Sequence, residues 1–139
     1  MAIVPGVCTS YLAEILSGLH QPTDQYCLAL YGTLAELSPQ TQRYTAGGEV
    51  SGDGYTAGGM QIAGFRASRN GNTAYLAFDP PSWIDATVSS RGGLIYNRSR
   101  ENRAVCVLDF GKMVKSTSGL FITYLPPTGV VRITSKQGD

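Results

Sequence analysis

Histidine is almost missing from this chain: His20 is the only one among 139 residues. Cysteine is scarce too, and Cys8, Cys27 and Cys106 form no close pair. A structural zinc site takes about four Cys or His ligands at short paired spacings, so no metal site is expected, and no motif calls for another cofactor. A Cys–His nucleophile pair would have to use His20, which follows an apparent helix end beside Pro22 and reads as an exposed loop residue. An odd cysteine count without pairs fits a chain folded in a reducing compartment. Charge is sparse as well. Lys+Arg 11 against Asp+Glu 10 leaves a formal net charge of +1, too weak a field to gather nucleic acid or an anionic membrane surface. No run approaches the roughly 20 apolar residues of a membrane span. The opening Met1-Ala2-Ile3-Val4-Pro5-Gly6 lacks the basic start and apolar stretch of a secretory signal, so cytoplasmic synthesis is expected.

What is present is apolar residue content sufficient for one core, 42% of the chain, broken by 17 glycines and 7 prolines. Within residues 8–19, Tyr11, Leu12, Ile15, Leu16 and Leu19 recur at helical spacing. Thr9 or Ser10 is suited to cap the start, and Gly18 suits the exit. This N-terminal segment, residues 1–22, either covers the core or reaches onto a neighbour as an arm. Beyond Pro22 the periodicity drops to two. Strands are expected over Tyr26–Tyr31, Met60–Phe65, Thr73–Phe78, Ala86–Ser90 with Leu94–Asn97, Arg103–Phe110, Leu120–Leu125 and Val130–Thr134. The pair Gly92-Gly93 marks a bulge inside one long strand. Turn chemistry separates the rest, at 69–71, 79–81, 97–102, 116–119 and 126–129. No strand–helix alternation occurs, so residues 23–139 read as a single antiparallel β-sandwich of jelly-roll-like type, mainly β, preceded by one short helix. Cys27 and Cys106 lie in apolar runs and read as packing residues, while Cys8 is open.

One repeat stands out. Tyr44-Thr45-Ala46-Gly47-Gly48 returns as Tyr55-Thr56-Ala57-Gly58-Gly59. A single duplication is not a solenoid, and residues 38–59 read as a long loop or a loosely paired hairpin on the sheet edge.

Three groupings could carry function. Asp79, Asp85 and Asp109 sit near strand ends, and two of them would have to stand about 5–9 Å apart for acid–base glycan hydrolysis; as turn formers they need no such role. Arg98, Arg100 and Arg103 surround Glu101 between two strands, with Arg91 upstream. Arginine makes planar bidentate contacts with carboxylates, so this loop is a candidate for protein contact as well as a solvated hairpin end. Trp83 follows Pro80-Pro81-Ser82 in a rigid turn. It either packs over one end of the sandwich or, with neighbouring tyrosines, forms a platform for a protein or a sugar.

The stretch from Trp83 to Asn97, followed by Asn102 to Gly111, together with Thr23–Tyr31 and the Tyr-Thr-Ala-Gly-Gly segment, resembles the head cement (decoration) proteins of tailed bacteriophages. The resemblance covers roughly residues 23–134. It implies a jelly-roll-like β-sandwich, dimeric, bound to the major capsid protein on the outside of the head, with no enzymatic activity and no cofactor. It brings no catalytic motif with it. Trp83, Arg98, Arg100 and Arg103 are then the expected partner-binding residues. A glycan-binding module exposed on the virion is the alternative expectation.

Overall fold

The computed structural model describes residues 2–136. It is mainly β, with two antiparallel sheets and one short helix: the β-sandwich expected from the sequence. In chain order the elements are β1 (Gly6–Val7), α1 (Thr9–Leu16), β2 (Tyr26–Tyr31), β3 (Met60–Gln61), β4 (Arg66–Asn70), β5 (Thr73–Ala77), β6 (Ser82–Asn97), a 3-10 turn (Arg98–Arg100), β7 (Arg103–Ile122) and β8 (Val131–Thr134). The larger sheet has the order β1-β7-β6-β2-β3 and the smaller β4-β5-β8.

The β6–β7 hairpin is the spine. Asn97 pairs with Arg103 at its turn, and Ser82 with Ile122 at its far end. Glu101 and Asn102 both take φ of 59°, which closes the turn in the left-handed region. The hairpin is not straight. Its register shifts between Ser90 and Gly92, beside the glycine pair, where the extra residues are 110–113 of β7 rather than the glycines themselves, and again between Ala86 and Val88. Ser90 is fully buried at the first shift. Its hydroxyl lies 3.0 Å from the Tyr31 carbonyl and 2.9 Å from that of Gly92, so the interrupted ladder keeps its polar groups satisfied.

Several boundaries differ from the sequence reading. Residues 116–119 do not end a strand. They bend β7, with Ser118 at φ 45° and Ser116 and Gly119 paired across the shift to Val88 and Ala86. Only Met60–Gln61 pairs within the expected Met60–Phe65 strand, and Arg66–Asn70 forms β4 although Asn70 reads as a turn residue. Every β4 residue is exposed, so the strand has no apolar alternation to betray it. The helix is shorter than its periodicity, and Cys8 rather than Thr9 or Ser10 occupies its N-cap, without a side-chain cap.

One core joins the whole chain. β2 is buried at every position and pairs with β6 on one side and β3 on the other. Cys8 and Tyr11 enter the same cluster as Leu28, Leu94 and Val105, so α1 covers the domain's own core. Cys27 and Cys106 are buried as expected, and Cys8 is buried with them. The smaller sheet adds Leu76 and Val131, and Phe78 just beyond β5 joins them. Tyr26 sits between Phe65 and Phe78, with ring centroids 5.4 Å from each. Among the described residues, no helix is long and apolar enough to cross a membrane.

Candidate functional site

Trp83 is 2% exposed. Its indole packs edge-on against Phe121 at 5.9 Å and lies 6.0 Å from Tyr55. The rigid turn directs the ring inward, so Trp83 fills the core and offers no surface platform.

The arginine loop divides. Arg98 is exposed. Arg100 turns back onto the chain and grips Asp24 with two bonds, Nε to Oδ2 at 2.8 Å and a terminal nitrogen to Oδ1 at 3.1 Å. These guanidinium hydrogen bonds, helped by Asn97 and the Gln21 amide, hold the Asp24 carboxyl down at about 2. Arg103 bridges Glu14 of α1 at 3.0 Å and Glu101 at 3.1 Å. Two of the three loop arginines thus tie the hairpin turn to earlier chain, Arg103 to α1 and Arg100 to Asp24 just before β2.

His20 completes that tie and corrects its reading as an exposed residue: its side chain is 1% exposed. Asn97, itself fully buried, donates through Nδ2 to His20 Nδ1 at 2.9 Å and to Asp24 Oδ2 at 2.9 Å, while its Oδ1 accepts from the Ser99 amide. With Nδ1 accepting, Nε2–H is left to donate to Glu14 Oε1 at 2.8 Å. Tyr11 lies against the imidazole at 4.7 Å. The ring is drawn inside because each of its nitrogens has a partner.

The repeat has a physical basis. Tyr44 donates to one oxygen of Glu49, and Tyr55 to the other. The Gly58 amide adds a third bond, 2.8 Å to Oε2. Tyr55 also accepts from the Leu30 amide at 3.0 Å, which fastens the loop to β2. Tyr31 and Tyr96 donate to the Thr45 and Gly58 carbonyls. The last glycine of each copy has positive φ, 79° at Gly48 and 80° at Gly59, and a β-carbon there would run into Ala35 or into the Leu28 carbonyl. Residues 38–59 are therefore a loop drawn together by one carboxylate and its donors, and tied to the sheet through Tyr31, Tyr96 and the Leu30 backbone. Burial pushes the Tyr44 and Tyr55 hydroxyls far above their ordinary range, and the adjacent Glu49 carboxylate adds to the shift.

The three aspartates have separate surroundings. Asp79 pairs with Arg66 at 2.7 Å, both largely in solvent. Asp109 lies 3.8 Å from Arg91 and accepts from the Gly111 amide at 2.8 Å. Asp85 is exposed and left-handed, with φ 48°. Among the described residues, no group of three His, Cys, Asp or Glu side chains is placed to hold a metal ion.

Sequence reasoning missed the far end of the hairpin. Because Trp83 and Phe121 face inward as a cross-strand pair, their neighbours face outward. Ile84 is 71% exposed, Leu120 56%, Ile122 37% and Tyr124 83%. Ile122 and Tyr124 continue into a cleft of about 460 Å³ with Phe110, Val114, Phe121 and Thr123, and with Asp109 and Lys112 also lining it. A smaller cleft on the β4-β5-β8 sheet is lined by Asn70, Thr73, Tyr75, Pro127, Thr128 and Arg132. Compared with protein-family models, curated proteins and solved structures, the chain matches none.

Proposed function

We propose that the chain is a structural virion protein that binds the outside of a tailed-phage head and cements adjacent major capsid protein subunits. The observation that carries this reading is the outward apolar row of Ile84, Leu120, Ile122 and Tyr124 at the far end of β6–β7. Large apolar side chains left together in water are the usual mark of a protein-binding surface. The exposed Arg98 lies at the opposite end of the same hairpin, so one molecule presents contact groups at two separated places. A clamp that binds assembled subunits better than free ones stabilises the shell by mass action. Repetition over the lattice adds avidity where each copy engages two subunits. The same reading takes the chain as a homodimer, made in the host cytoplasm and carried on the virion, and as a binding protein without catalysis. Arg100 and Arg103 serve it indirectly, by fixing the turn that presents Arg98.

The test is particle composition and endurance. Purified virions are expected to contain the chain in copy numbers comparable with capsid subunits, and heads lacking it are expected to fail at lower temperature and under osmotic shock. Absence from virions, a copy number of only a few, or equal endurance without it overturns the reading.

A second reading is favoured by the smaller cleft on the β4-β5-β8 sheet. Tyr75 with Asn70, Thr128 and Arg132 combines a ring face with hydrogen-bonding groups, the chemistry of a saccharide subsite. A glycan array probed with the intact chain tests it. Saturable binding abolished by Tyr75→Ala supports a host-surface role, and an array without hits removes it.

A further inference from the structure

The outer edge of β7 is covered at one end only. β1 pairs with Val107 and Cys106, and the Gln42 carbonyl takes the Ala104 amide. Beyond that end, β7 pairs with β6 at Asp109, at 114–116, at Gly119 and at 121–122, with residues 110–113 bulged out between Asp109 and Val114. Among the described residues, no other strand or loop backbone bonds to its other side. The open backbone between the bulges, centred on 114–116, is a template for a short further strand.

Three features beside the edge describe what would fit. The cleft lined by Phe110, Val114, Ile122 and Tyr124 offers a seat for apolar side chains. Thr123 lines the same cleft, is 3% exposed, and its hydroxyl has no hydrogen-bond partner, which leaves a buried polar group for an incoming chain to satisfy. Lys112 and Lys115 are exposed along the edge, whereas Asp109 already has Arg91 beside it. The edge is therefore net basic. A second copy would bring the same excess of lysine to the edge, whereas a carboxylate-bearing segment would neutralise it.

We propose that this edge accepts an extended, carboxylate-bearing segment of the capsid subunit as an added β-strand, with its apolar side chains seated in the Phe110–Tyr124 cleft. The proposal rests on the cement reading and specifies how the contact is made. Backbone bonds along the strand supply affinity, and the lysines select an acidic partner.

The experiment mixes heads assembled without the chain with purified wild-type chain or with the Lys112→Glu/Lys115→Glu variant. Backbone hydrogen exchange is read in the free and bound states. On binding, wild-type amides between residues 109 and 122 are expected to slow by about tenfold or more. The variant, with thermal stability unchanged because both side chains are exposed, is expected to bind about tenfold more weakly. Binding without slowed exchange on β7, or equal binding by the variant, overturns the added strand and leaves the cement reading standing. Failure of the wild-type chain to bind heads overturns the cement reading itself. Protection of β7 in the isolated chain that rises with its concentration makes a second copy the occupant and overturns the capsid segment.

Discussion

Tyr44 and Tyr55, the first residues of the two repeat copies, donate their hydroxyls to the two oxygens of a single carboxylate, that of Glu49. Duplication of the pentapeptide thus yields a symmetric pair of donors around one acceptor. Glu49→Gln keeps the shape but replaces one acceptor oxygen with a donor nitrogen, leaving at least one of Tyr44, Tyr55 and the Gly58 amide without its partner. A loss of about 1–3 kcal/mol is expected in urea unfolding. Tyr44→Phe and Glu49→Gln together should cost less than the sum of the two alone, because both remove the same bond. Additive losses, or a neutral Glu49→Gln, would show that the clamp does not hold the loop.

The glycine closing the second copy gives a separate test. Gly59 has φ of 80°, and an added β-carbon would overlap the Leu28 carbonyl of the buried strand β2. Gly59→Ala is expected to cost about 2–4 kcal/mol from strain and overlap together. Gly18, with φ 79° but open space around it, isolates the strain, and Gly18→Ala should cost about 1 kcal/mol. Thermal unfolding of the two variants measures the difference, and equal losses would remove the overlap argument.

Much of this architecture was legible because apolar runs such as Tyr26–Tyr31, buried at every position, and Arg103–Phe110 have the length and composition of strands. The Asn97–Asn102 turn was legible from its composition; the glycines pointed to an irregularity beside Gly92-Gly93, but the bulged residues are 110–113 on the opposite strand. The site was harder to see. Trp83, Ile84, Leu120, Phe121 and Ile122 are all apolar, so alternation cannot say which face turns inward; the cross-strand register decides it. His20 looked exposed because its partners, Asn97 and Glu14, lie 77 and 6 residues away. Pairings over such separations leave no local trace. The Glu49 clamp had a signal in the repeated tyrosines, but their shared acceptor emerges only when the loop folds back on itself.

The Asp24–Arg100 grip gives an acid-side prediction. The folded carboxyl is held at about 2, below its ordinary value of about 3.9. The unfolded chain therefore binds this proton first as pH falls. The stabilisation is complete above about pH 4 and is lost as the pH drops toward 2. Urea midpoints measured from pH 6 to pH 2 should fall across that window. Asp24→Asn should lower stability by about 1–3 kcal/mol at pH 7 and flatten the fall. An unchanged acid slope in the variant would assign the slope to other carboxyls.

Asn97 is where the turn, α1 and β2 meet, and its role depends on donating two bonds. Asn97→Asp keeps the size and the acceptor for the Ser99 amide but sets a carboxylate against Asp24 Oδ2, now 2.9 Å from Nδ2. The repulsion and the lost donors should cost about 2–4 kcal/mol at pH 7. Part of that should return as the pH falls through the range in which the new carboxyl takes up a proton. Stability measured by urea unfolding at pH 7 and pH 4 checks the sign, and a larger deficit at pH 4 would contradict it.

At alkaline pH the buried hydroxyls and thiols act together. Burial raises Tyr11 and Tyr96 to about 12 and Cys8 to about 11, and pushes Tyr26, Tyr31 and Cys106 higher still. The ordinary values are about 8.5 for a thiol and about 10 for a phenol. Between those values and the raised ones, the unfolded chain has released protons that the folded chain keeps. Stability is thus full below about pH 8 and falls as pH rises, first through the thiols and then more steeply above about pH 10 as the phenols join. Urea unfolding from pH 7 to pH 11, followed at once by β-sheet circular dichroism and by tyrosinate absorbance, should show absorbance from the buried rings appearing together with loss of the sheet. Ionisation of those rings while the sheet stays intact would mean that water reaches them in the folded state, and that the single core joining α1, β2 and the repeat loop is not closed.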